Sequence, residues 1–134
     1  MVLKHTDGPS CPSCEHKLID VNNELVNWFN WVKTNHQSVH VSWGYRGKIE
    51  QDEAYASGHS KLQYPQSKHN HKDSLNEPDS LAVDLFEQID HKAVFDPIKM
   101  AKINDESSLA SYKLRWGGEF KTSGDSGHFE LTTI

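Results

Sequence analysis

At 134 residues and 15.3 kDa the chain is large enough for one hydrophobic core and too short for two domains of ordinary size. Its formal net charge of −5, with 14 Lys and Arg scattered among 19 Asp and Glu, leaves no basic footprint for a phosphate backbone and argues against a nucleic-acid partner. A mean hydropathy of −0.74 without any long apolar run excludes a membrane-spanning helix, whereas four Trp, four Tyr and five Phe argue against disorder.

Residues 1–17 carry Gly8, Pro9, Cys11, Pro12 and Cys14 without apolar periodicity and read as an irregular lead-in to a single domain spanning 1–134. The N-terminus lacks the basic and then apolar pattern of a secretory signal, so cytoplasmic synthesis and first residence are expected. Cys11 and Cys14 form a C-x-x-C with His5 and His16 nearby, a set that could make a small structural metal site. Two reduced thiols are the plainer expectation in the cytoplasm.

Leu18, Val21, Leu25, Trp28, Phe29 and Val32 recur at three- and four-residue steps, predicting an amphipathic helix over 20–33 with Asp20 as its cap. Val39, Val41 and Trp43 alternate with His40, Ser42 and Gly44, the pattern of a half-buried strand ended by Gly44-Tyr45-Arg46-Gly47. A short helix over 48–57 with Gly58 behind it follows. The stretch 59–80 is polar, holds His59, His69 and His71, and reads mostly as loop. Leu81 to Phe86 is a predicted strand with Asp84 inside its apolar run, and Asp96-Pro97 caps and opens a helix continuing past Met100. At the end, a strand over 127–134 puts His128 and Glu130 on one face, Phe129 and Leu131 on the other.

Two imidazoles and a carboxylate can hold a hydrolytic zinc and leave a position open for water. His69, Asp84 and His128 are of those types, but they lie far apart, no local spacing rule groups them, and nine histidines in the chain leave other sets open. Asp125 stands three residues before His128, a placement from which it could serve as general base and then acid, although a turn is the usual role of an Asp among Ser and Gly. Arg46 is the first candidate for a cation that steadies an oxyanion or holds a substrate carboxylate.

Five motifs in order carry a resemblance over roughly residues 39–131: Gly44-Tyr45-Arg46, Ser67-x-His69, Ser80-x-Ala82-Val83-Asp84-Leu85, Arg115-Trp116-Gly117-Gly118-x-Phe120 and Asp125-x-x-His128-Phe129-Glu130. Together they resemble the zinc peptidases that include D-alanyl-D-alanine carboxypeptidases and L-alanyl-D-glutamate endopeptidases, with the last two motifs most similar to small bacteriophage endolysins. The resemblance implies an α+β fold of the hedgehog/DD-peptidase type, in which a small antiparallel sheet flanked by helices holds the metal. It implies His69, Asp84 and His128 as Zn2+ ligands, Asp125 as catalytic acid/base, and Arg46 and Ser67 as groups on the substrate side or behind the ligands; Trp116, between Arg115 and Gly117-Gly118, is expected to line or underlie the site, with plain core packing an equal alternative. Fourteen residues separate His69 from Asp84, longer than such relatives usually carry, and His71 is an alternative first ligand. The implied activity is hydrolysis of a peptidoglycan stem-peptide amide, first of all L-Ala-D-Glu, in phage-type lysis or wall turnover. A D-Ala-D-Ala carboxypeptidase and a catalytically silent zinc-binding module of the same fold are the alternatives. The expected partner is the stem peptide, met by a monomer after export or lysis.

Overall fold

The computed structural model describes residues 12–119 and 126–132. Pro12, whose fixed φ suits the first turn of a helix, opens α1 (Pro12–Lys17) where the sequence reads as irregular. Cys14 is buried on this helix, its sulfur accepting from Val41 N at 3.4 Å and lying 3.6 Å from His40 Nδ1. It is disulfide-bonded, so neither the reduced-thiol reading nor a thiolate ligand to a structural metal applies to it; Cys11 lies outside the described residues.

Helix α2 (Asn23–Asn35) starts later than the periodicity predicts. Asn22 is the cap, its side chain accepting from Glu24 N at 2.9 Å, while the Asp20 carbonyl accepts from Ser80 N at 2.8 Å. The apolar stripe of α2 buries Leu25, Trp28, Phe29 and Val32. Two further helices follow the sequence closely. One is α3 (Lys48–Ala56), behind which Gly58 takes φ +86°; the other is α4 (Pro97–Leu109), with the Asp96 side chain accepting from Ile98 N at 3.0 Å. Among the described residues no helix is long and apolar enough to cross a membrane.

Five strands, β1 (Val39–Trp43), β2 (Ala82–Ile89), β3 (Lys92–Val94), β4 (Leu114–Trp116) and β5 (His128–Leu131), form one antiparallel sheet in the order β1-β2-β5-β4. β2 is the spine. It pairs with β1 through Val41↔Leu85, and its other edge takes β5 through Val83↔Phe129 and Asp84↔His128, then β3 through Gln88↔Ala93. It runs three residues beyond the predicted end because Asp90 and His91, at φ 52° and 64°, turn it into the β2–β3 hairpin.

One face of this sheet is the core. Val39, Val41, Val83, Leu85, Phe129 and Leu131 belong to the same buried cluster as the α2 stripe and Met100 and Ile103 of α4. The Trp28 and Phe129 rings lie 5.0 Å apart, and Trp28 Nε1 donates to the buried Ser107 Oγ at 2.9 Å, so the indole is packed without an orphaned N–H.

Candidate metal centre

Because successive strand residues point to opposite faces, the positions between the core residues on β2 and β5 turn away from the core. Asp84 and His128 are directly cross-strand partners there, and Glu130 follows His128 two residues on. His128 Nδ1 lies 3.1 Å from Asp84 Oδ1 and His128 Nε2 lies 2.8 Å from Glu130 Oε1.

The third residue arrives from the long polar stretch. A single 3₁₀ turn, Lys68–Asn70, carries His69, and Ser67 caps it: Ser67 Oγ accepts from His69 N at 3.1 Å while Asn70 Oδ1 accepts from Ser67 N at 3.1 Å. This turn is stitched to the segment after β1 by Arg46 N donating to His69 O at 2.9 Å and Asn70 Nδ2 donating to Arg46 O at 2.9 Å. His69 Nδ1 donates to the Gly44 carbonyl at 2.7 Å, which fixes the ring's tautomer and direction. Gly44 sits so close to α1 that a Cβ there would meet Lys17 O at 2.2 Å; only glycine fits.

With Nδ1 committed, His69 Nε2 presents a lone pair. It is buried, makes no hydrogen bond, and stands 3.3 Å from Asp84 Oδ1. Two electron-rich atoms facing each other at that distance, out of water, call for a cation between them, a proton on Nε2 in the metal-free protein or a metal ion in its place. One ligand atom from each of His69, Asp84 and His128 lies within 4.8 Å of the others, and the two rings meet edge to face at 5.1 Å. The three residues therefore fit a metal ion by donor type and by the orphaned nitrogen.

The electrostatics agree. Burial opposes charge on Asp84, yet His69 and His128 outweigh it and hold the carboxyl far below the ordinary carboxylate range. Burial also works against a charged His128, but hydrogen bonds from its ring to Asp84 and Glu130 raise it to about 9. Glu130 is lowered, because His128 and Lys68 outweigh its burial.

The other sequence candidates fall around this cluster. Arg46 is buried, its Nη2 donating to Asp84 Oδ2 at 3.2 Å and its guanidinium 5.0 Å from the Trp43 ring centroid. Ser67 acts on the His69 turn as described. Trp116 lies against Phe129 at 6.4 Å between centroids and donates through Nε1 to Ser126 O at 2.7 Å. His71 stands apart, with Nδ1 at 2.8 Å from Asp79 O, so His69 and not His71 joins Asp84 and His128. Asp125 lies outside the described residues. Lys68, 3.3 Å from Glu130 Oε2, was not among the sequence candidates; its adjacency to His69 was the available signal.

No protein-family model matches the sequence, and no curated protein matches it. The fold does match. The crystal structure of the Serratia marcescens L-Ala D-Glu endopeptidase ChiX superposes with a TM-score of 0.71 at 25% sequence identity, covering 90% of this chain and 87% of that one. At the level of the fold, this chain is similar to that endopeptidase. Its α+β architecture, a small antiparallel sheet with flanking helices, is the hedgehog-like one that the five motifs imply.

Proposed function

We propose that the chain is a zinc-dependent peptidase of peptidoglycan, hydrolysing a stem-peptide amide with L-Ala-D-Glu as the preferred bond. The observation that carries this reading is the convergence of His69 Nε2, Asp84 Oδ1 and His128 Nδ1 on the non-core face of a sheet that shares its fold with ChiX. Two imidazoles and one carboxylate suit zinc, with a position left for water or substrate. A zinc held there would polarise the scissile carbonyl and lower the pKa of the attacking water.

The chain's own residues supply the rest. Asp125 takes a proton from the attacking water on its carboxylate and returns it to the departing amine nitrogen. The Trp116 hydrogen bond to the Ser126 carbonyl restrains the backbone next to Asp125. Arg46 occupies Asp84 Oδ2, which leaves Oδ1 as the oxygen turned toward the imidazoles. Since peptidoglycan lies outside the cytoplasmic membrane, the protein acts there after export or lysis.

The test is incubation of the zinc-loaded protein with purified peptidoglycan and defined stem peptides, reading new termini by mass spectrometry beside an Asp125→Ala control. New D-Glu N-termini, lost in the control, are expected. Released D-Ala would replace the endopeptidase with a carboxypeptidase, and no product from folded, zinc-replete protein would overturn the enzyme altogether.

A further inference from the structure

The two imidazoles of the site are held by opposite nitrogens. His69 gives Nδ1 to a backbone carbonyl and turns Nε2 inward, whereas His128 turns Nδ1 toward Asp84 and Nε2 toward Glu130. Glu130 is itself buried, and its second oxygen lies 3.3 Å from Lys68 Nζ. Lys68 Nζ also donates to Leu131 O at 2.6 Å, so the ammonium is pinned to β5 on one side of Glu130 while its own backbone carries His69 on the next residue.

We infer that Glu130, locked by Lys68, is a positioning residue that accepts the Nε2–H of His128 and thereby presents Nδ1, not Nε2, to the metal. This inference rests on the reading of His69, Asp84 and His128 as ligands. The reasoning is geometric. A ligating imidazole must keep its second nitrogen protonated, and a carboxylate on that nitrogen fixes both tautomer and ring orientation while making the ring a better donor. His69 has a neutral carbonyl in this role and His128 a carboxylate, so the two ligands differ in basicity as well as in the nitrogen used. The Lys68–Glu130 pair also ties the turn that bears one ligand to the strand that bears the other, so loss of either partner would loosen the distance between them.

Cadmium loaded in place of zinc into nitrogen-labelled protein makes this visible, because scalar coupling marks the nitrogen bonded to the metal. The expected parent spectrum shows coupling to Nε2 of His69 and Nδ1 of His128. Glu130→Ala should lower zinc affinity by about 10–100-fold in competition with a chromophoric chelator, Glu130→Gln should recover part of that loss through its amide oxygen, and Lys68→Met should give a smaller loss. Coupling at His128 Nε2 would overturn the inference while leaving the ligand set intact, as would Glu130→Ala with parental zinc affinity. Absence of metal coupling to both histidines would overturn the ligand reading and this inference together. Should Glu130→Ala fail to fold, the parent spectrum and Lys68→Met still decide.

Discussion

Asp84 divides its carboxylate between two tasks: Oδ1 faces the imidazoles and Oδ2 takes the Arg46 guanidinium. Removing Arg46 would leave a buried carboxylate oxygen without its donor, and hydrogen bonds to charged groups contribute roughly 1.5–3 kcal/mol. Arg46→Ala is therefore expected to destabilise the metal-free protein by about 2 kcal/mol in urea unfolding. Arg46→Lys should recover little, since an ammonium neither forms the planar fork nor stacks over Trp43; a fully recovered midpoint would show that charge alone matters here. At this scale the sequence was readable where period two governs, as in the placement of His128 and Glu130 on one face. The approach of His69 to Asp84 was not, because the bonds that bring it, Arg46 N to His69 O and His69 Nδ1 to Gly44 O, join segments distant in sequence and leave no periodic trace.

Strand β4 and the turn after it show why the Trp-Gly-Gly motif tolerates nothing bulkier. A Cβ on Gly118 would fall 2.1 Å from the Trp116 ring, so Gly118→Ala must displace the indole that holds Ser126. On the proposed function we expect that variant to lose at least tenfold in kcat with parental zinc affinity, since a misplaced catalytic group costs on the order of 10²-fold; parental kcat would detach Trp116 from the proposed chemistry. Helices α2 and α4 meet through Trp28 and Ser107, whose hydroxyl accepts the indole N–H and donates to Ile103 O at 2.7 Å. Ser107→Ala should cost about 1–3 kcal/mol by orphaning that N–H, and adding Trp28→Phe should give a penalty smaller than the sum of the two single changes, a coupling that thermal unfolding of the four variants would measure. Long elements were legible from apolar spacing, as α2 and β2 show. The missed ones are short: α1 has six residues, and β3 follows an Asp-His turn in place of the Asn-Gly that usually announces a hairpin.

For the molecule as a whole, the cluster ties stability to pH. His128 is raised from 6.5 to about 9, so its contribution is complete below about pH 6.5 and is lost as pH rises through 9. Asp84 and Glu130 are depressed, so theirs is complete above their ordinary 3.8 and 4.5 and is lost on acidification. Chelator-treated protein should thus be most stable near pH 5–6 and lose on the order of 2 kcal/mol toward pH 9. Zinc bound at the proposed site would reverse the alkaline arm, because a ligating His128 must give up a proton that the metal-free fold holds until about pH 9. Melting curves with and without zinc between pH 5 and 9 should diverge as pH rises; parallel curves would remove His128 from the ligand set.

The alternation along β5 also acts as a safeguard against error. Sliding this strand by one residue against β2 would drive His128 and Glu130 into the core and turn Phe129 and Leu131 out to the site. Any misaligned arrangement would forfeit the burial of two large apolar side chains at the same moment that it dismantled the His-Asp-His cluster, so such registers are strongly disfavoured energetically. Hydrophobic packing therefore checks the alignment of the candidate metal-binding face, and sequence drift on the core side is tolerable only while it preserves that check.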